Sequence, residues 1–154
     1  MMMRLCCDVL NALKGKSLVT AESCTGGGIG AALTAIPGSS EVYKGGIISY
    51  TNEVKIKQLG VDPELLANEG AVSAAVAQAM ASGVRSALAA DIAVSVTGLA
   101  GPGGDEYGNP VGTVYIGYAD QKKTLFREFH FSGNRDAVRN QAVKAALKLI
   151  LQSQ

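Results

Sequence analysis

The stretch Ala21-Glu22-Ser23-Cys24-Thr25-Gly26-Gly27-Gly28 constrains this chain more than any other. It follows residues 17–21, a short run with strand character, and precedes residues 29–33, which read as a helix. A hydroxyl-bearing turn therefore falls between a strand's end and a helix's start. Glycine lets the backbone enter positive φ there and bares its N–H groups. The dipole of the following helix adds to their pull on a negative charge. Three uses fit: a nucleophile with an amide oxyanion hole, a phosphate cradle, or a plain tight turn of the kind common in α/β domains.

With 154 residues the chain reads as one domain, 1–154, large enough for a real core. Its net charge of +1 includes no basic block, which argues against nucleic acid as the main partner. Aromatics are scarce and Trp is absent, so base-stacking platforms are not expected either. The three cysteines are Cys6, Cys7 and Cys24. Adjacent Cys6 and Cys7 make a poor disulfide pair, and the odd total fits a reducing compartment. No CxxC or Cys/His cluster suggests zinc. Residues 1–10 are too short and too interrupted by Arg4 and Asp8 for a secretory segment. No apolar run approaches the ~18 residues of a membrane span. The expectation is a cytoplasmic protein with no membrane contact.

Along the chain, Leu5, Val9, Leu10 and Leu13 fall at helical spacing, and Gly15 stops that helix. Cys6 and Cys7 read as packing residues on it. After the first strand and the central turn, Pro37-Gly38-Ser39-Ser40 signals a loop. Residues 42–50 read as a strand with a bulge at Gly45-Gly46. Thr51 or Asn52 caps a helix over residues 53–59, with Gly60 at its C′ position. Asp62-Pro63-Glu64 starts the next helix, and a third begins near Ser73 with Val76, Met80, Val84 and Leu88 as its core stripe. Residues 91–97 form a near-continuous apolar strand, as in a central parallel position. A second glycine-rich loop follows, Thr97-Gly98-Leu99-Ala100-Gly101-Pro102-Gly103-Gly104, and residues 105–110 extend it as a mobile segment. Residues 112–119 and 124–132 pair as a hairpin around residues 120–123. A last helix over residues 134–151 turns Val138, Ala142, Ala145 and Leu149 inward. This order predicts an α/β fold, a three-layer α/β/α sandwich with a mixed, mostly parallel sheet of about five strands. Both glycine-rich loops then lie beyond strand C-termini, where ligands bind in such sheets.

A serine hydroxyl needs activation to attack at neutral pH. His130, the single histidine, lies mid-strand, where a packed or rim position is plainer than a triad role. Tyr50 and Lys55 close the second strand and open the next helix, so phenol and ammonium can meet at one sheet edge. A half-buried strand Tyr and a solvated Lys fit the same spacing. Arg135 and Arg139 share a helix face near its N-terminus, where the dipole disfavours cations. A local ion pair with Asp136 or a bound phosphate offsets that equally well. Cys24 is a rival nucleophile, since helix N-termini favour thiolates. Glu22 either orients a neighbour or caps the helix.

Three long motifs resemble one known family: Ala21 to Gly27, Ile48-Ser49-Tyr50-Thr51-Asn52-Glu53-Val54-Lys55, and Val96-Thr97-Gly98-Leu99-Ala100-Gly101-Pro102. With Gly70-Ala71-Val72-Ser73, Pro110-Val111-Gly112-Thr113-Val114 and Gly133-Asn134-Arg135-Asp136-Ala137-Val138-Arg139, the chain resembles the CinA C-terminal domain family almost end to end, in its stand-alone form. The resemblance implies a nicotinamide-nucleotide amidase, an amidohydrolase that converts nicotinamide mononucleotide and water to nicotinate mononucleotide and ammonia. It implies no metal and no cofactor. The family's Ser-Tyr-Lys arrangement maps onto Ser23, Tyr50 and Lys55, with Tyr50, its proton loosened beside Lys55, accepting the Ser23 proton. Amides near Thr25, Gly26 and Gly27 then hold the oxyanion. The 97–104 loop, with Thr97, Gly98 and Gly101, and Arg139 contact ribose and phosphate. The partner is thus a small-molecule nucleotide. A homo-oligomer is also expected, with the apolar helix over residues 76–88 available as an interface. Two alternatives stay open: a non-catalytic nucleotide-binding module linked to competence or DNA damage, and a Cys24 thiol amidase.

Overall fold

The computed structural model describes all residues, Met1–Gln154. Five strands form one sheet in the order β2-β1-β3-β4-β5. They are β1 (Leu18–Glu22), β2 (Tyr43–Ile48), β3 (Ile92–Gly98), β4 (Thr113–Ala119) and β5 (Thr124–His130). β1 pairs in parallel with β2 and β3, and β3-β4 and β4-β5 pair antiparallel. Four strands therefore run one way and β4 alone runs against them. The sheet is mixed, as expected, and parallel in its first half.

Six helices cover its faces: α1 (Met2–Ala12), α2 (Gly28–Thr34), α3 (Asn52–Leu59), α4 (Pro63–Glu69), α5 (Ala74–Ala87) and α6 (Arg135–Gln152). Strand alternation sorts the core into two. Leu18, Ile92, Val94 and Val96 face α1, α2 and α6. Val19, Ala21 and Ala93 face α3, α4 and α5. The result is the three-layer sandwich, with β1 and the body of β3 buried on both faces.

Local chemistry sets most element starts. Thr51, Asp62, Ser73 and Asn134 each cap a helix by accepting a backbone N–H with the side chain. The β1-β2 register slips between Leu18 and Val19, so Lys44, just before Gly45, is the extra residue of a bulge. The α5 stripe holds at Val76, Met80 and Val84, but Leu88 is 41% exposed. Leu88 is already the residue that caps the helix end, so the periodicity no longer governs its direction. The segment after Gly104 is not the loose extension that its composition suggests. Asp105 accepts from Tyr107 N, Asn109 N and Asn109 Nδ2. Tyr107 Oη donates to Ala67 O at 2.8 Å, and Asn109 Nδ2 to Val72 O at 3.1 Å.

Candidate active site

The C-terminal ends of β1, β2 and β3 open into a cleft of about 800 Å³ lined by Ser23, Tyr50, Lys55, Thr97, the 98–107 loop and Arg135. That volume suits a nucleotide-sized ligand.

Ser23 follows directly on β1, and its N–H donates to Val96 O at 3.0 Å, fixing it beside β3. The chain must then turn sharply. Gly26 at φ +59 and Gly27 at φ +101 occupy the left-handed region that side chains avoid. Glu22, at the end of β1, accepts from Ile29 N at 2.8 Å, Gly30 N at 3.0 Å and Thr25 Oγ1 at 2.7 Å. Its carboxylate thus occupies the N-terminus of α2, where the sequence left room for a phosphate. Glu22 performs both alternatives considered for it, capping the helix and orienting Thr25.

Lys55 enters from the first turns of α3, whose start is fixed by the Thr51 cap. It is 1% exposed, yet no carboxylate touches it. Nζ lies 3.0 Å from Ser23 Oγ, 2.8 Å from Ser49 O and 3.4 Å from Tyr50 O. Burial without a counter-ion pulls its pKa down to about 8. The two carbonyls can only accept, so they hold two N–H bonds. The third position faces Ser23, and it becomes the lone pair when Lys55 loses a proton. The geometry therefore gives Ser23 a base in direct contact. The Tyr50 phenol makes no hydrogen bond to Lys55; its oxygen accepts from Arg135 NH2 at 3.1 Å.

Cys24 is buried beside Ser23, and burial pushes its thiol up to about 11, so it stays protonated at neutral pH. The N–H groups of Cys24 and Thr25 donate to no other residue, nor do those of Ala100, Gly101, Gly103 and Gly104. Both glycine-rich segments thus offer free donors. Gly26 N, in contrast, is bonded to Ser23 O at 3.1 Å.

Of the residues singled out by sequence, Ser23, Tyr50, Lys55, Thr97, Gly98 and Gly101 share the cleft. Thr97 Oγ1 is already committed to Ala71 O at 2.8 Å. The structure does not bring Thr25, Gly26, Gly27 and Arg139 into the cleft lining. Thr25 turns to Glu22. Arg139 clamps the far side of the turn, donating from Nε to Cys24 O at 3.0 Å and from NH2 to Thr25 O at 3.2 Å. Arg135, one turn earlier, is the arginine that reaches the cleft, with NH1 2.7 Å from Gly101 O. Asp105, Glu106 and Tyr107, given no role from sequence, complete the rim. His130 lies elsewhere, with Nε2 2.6 Å from Glu128 Oε2. No group of His, Cys, Asp and Glu is arranged to hold a metal ion, and no helix is long and apolar enough to cross a membrane.

The family model for the CinA C-terminal domain matches residues 3–154. A CinA-like protein of Thermosynechococcus vestitus is 54% identical over 138 residues, 88% of this chain and 33% of that protein. Another, from Acidobacterium capsulatum, is 46% identical over 90% of this chain and 33% of its own length. The chain thus spans about a third of the length of the curated relatives it matches. A crystal structure of competence damage-inducible protein A from Klebsiella pneumoniae superposes with a TM-score of 0.95 at 38% identity, covering 98% of this chain and 95% of that one. The CinA superfamily protein from Escherichia coli gives 0.97 at 34% identity, covering 100% and 91%.

Proposed function

The chain belongs to the CinA C-terminal domain family, and from that premise we propose that it hydrolyses the carboxamide of nicotinamide mononucleotide to nicotinate mononucleotide and ammonia. One observation carries the reading: Lys55 Nζ, buried, without a counter-ion and with its pKa lowered to about 8, touches Ser23 Oγ at the cleft floor.

In this mechanism Ser23 Oγ attacks the carboxamide carbon as its proton passes to Lys55 Nζ. The free amides beside the nucleophile, Cys24 N–H first, hold the oxyanion. The C–N bond breaks, and the nitrogen leaves as ammonia after taking a proton. The Tyr50 phenol is suited to give that proton. Its oxygen accepts from Arg135, so its own O–H remains a donor. Lys55 then returns its proton to the Tyr50 phenolate through solvent, which restores both groups. Water attacks the Ser23 ester as Lys55 takes its proton, and Lys55 passes that proton to the Ser23 oxygen as the ester breaks, releasing the acid, which gives up its own proton to solvent. Arg135 and the free amides of the 100–104 loop bind the phosphate. Competence- or damage-linked binding without turnover remains the rival reading.

The test is ammonia release from nicotinamide mononucleotide, with nicotinamide and nicotinamide riboside alongside. Wild type releases ammonia from the mononucleotide, and Ser23→Ala loses at least ~10³-fold of that rate. An active Ser23→Ala chain would sink the mechanism. Tight mononucleotide binding without ammonia release would support the rival instead.

A further inference from the structure

Arg135 joins three segments at the cleft mouth. It stands on the first turn of α6, donates to Gly101 O at 2.7 Å and donates to the Tyr50 phenol oxygen at 3.1 Å. Both partners are neutral, and no carboxylate touches the guanidinium. Only two of its five N–H donors are thus engaged, both by neutral acceptors, far from the carboxylate or phosphate pairing that a guanidinium favours. The phenol in turn bonds to neither Ser23 nor Lys55. Tyr50 as a whole is 59% exposed, and Arg135 is its hydroxyl's hydrogen-bond partner.

We propose that Arg135 is a positioning residue that latches the Tyr50 phenol away from Ser23 until the phosphate dianion of the nucleotide takes the guanidinium and frees it. The proposal rests on the amidase reading and adds a selectivity device to it. A phosphate oxygen accepts from guanidinium about twice as strongly as a neutral oxygen does. The 3.1 Å bond to Tyr50 is the longer of the two held by Arg135 and is the one given up. The freed phenol then swings over the reacting carboxamide, where its proton is needed by the departing nitrogen. Phosphate binding is thereby spent on turnover as well as on affinity. Free nicotinamide and the riboside, which bring no phosphate, meet a latched enzyme.

The test compares nicotinamide mononucleotide with nicotinamide riboside for wild type, Arg135→Met and Tyr50→Phe, with kcat and KM separated and thermal midpoints recorded. The latch predicts opposite signs in Arg135→Met. Mononucleotide kcat/KM falls ~100-fold, while riboside kcat rises ~5-fold because the phenol is already free. Inorganic phosphite added in trans raises riboside turnover by wild type and leaves Arg135→Met unchanged. Tyr50→Phe, a change at an exposed ring, keeps its thermal midpoint and loses the phosphite response. Riboside turnover that falls, stays level or stays undetectable in Arg135→Met overturns the latch and reduces Arg135 to a phosphate contact. So does a phosphite response that survives in Tyr50→Phe. A wild-type chain that releases no ammonia from the mononucleotide overturns the amidase reading itself, a different result from a failed latch in an active enzyme.

Discussion

Lys55, the base of the proposed reaction, is also a cost to the fold. Its pKa of about 8 lies below the ordinary 10.5 because burial penalises the ammonium and no acid offsets it. The base must be neutral to take the Ser23 proton, so kcat/KM should rise with pH and level off above an apparent pKa near 8. The same group makes stability depend on pH. Below about pH 8 Lys55 is charged in both states, and the fold bears a penalty of about 3 kcal/mol. Between about pH 8 and 10.5 the unfolded chain holds the extra proton, so stability climbs as pH rises. Lys55→Met should abolish ammonia release, remove this climb and leave the chain more stable at neutral pH. Urea midpoints at pH 7 and pH 10 decide it: equal pH slopes in wild type and variant would mean that Lys55 bears no such penalty.

At the scale of elements, close approach explains the glycines that composition only counted. A Cβ at Gly117 of β4 would run into the Ala77 carbonyl of α5 and into Ser95 Oγ, 2.5 Å away. Ser95 Oγ itself hydrogen-bonds Ala77 O, so helix and sheet are tied where they touch. Gly117→Ala should therefore cost ~1–3 kcal/mol, seen as a lower denaturation midpoint at unchanged activity per folded molecule. An unchanged midpoint would show that α5 can move away without cost. The sequence announced the elements themselves because their signals are local: Thr51, Asp62, Ser73 and Asn134 cap where a cap is needed. The apolar run of β3 likewise showed its central place. What stayed illegible depends on contacts across the sheet. Glu22 reaches seven and eight residues ahead to Ile29 and Gly30, and no spacing rule foresees that. Arg135 and Arg139 share a face, yet one helical turn sends Arg139 to the back of the 24–25 turn and Arg135 into the cleft. Ser23, Tyr50 and Lys55 were legible as a cleft cluster. Which of Tyr50 and Lys55 touches Ser23 was not, because that rests on how residues 49–51 fold Lys55 back beneath the Ser23 hydroxyl.

Across the whole molecule, the 98–109 loop bridges the two helical layers over the cleft. On one side Gly101 O accepts from Arg135 of α6. On the other Tyr107 Oη donates to Ala67 O of α4, and Asn109 to Val72 O at the entry to α5. The Tyr107 ring lies against Gly70, where a Cβ would come within 2.7 Å of it and where φ is +78. The loop therefore owes its place to a few polar ties and one close ring contact, with Ala100 as its buried apolar residue. Such a segment sets the shape of the cleft without carrying the core. Tyr107→Phe removes a hydrogen bond worth ~1 kcal/mol, which corresponds to about a fivefold rise in KM for the mononucleotide. Turnover number and thermal midpoint should stay close to wild type, since neither Ser23 nor Lys55 is touched. Gly70→Ala displaces the same ring from the other side and should raise KM at least as much, with an added loss of stability from the strained φ. Steady-state kinetics with limited proteolysis of the 103–108 segment reads both effects together. If cleavage quickens while KM holds, the Tyr107 contacts order the loop but do not shape the site; if KM rises with cleavage, the two layers of helices hold the substrate through it.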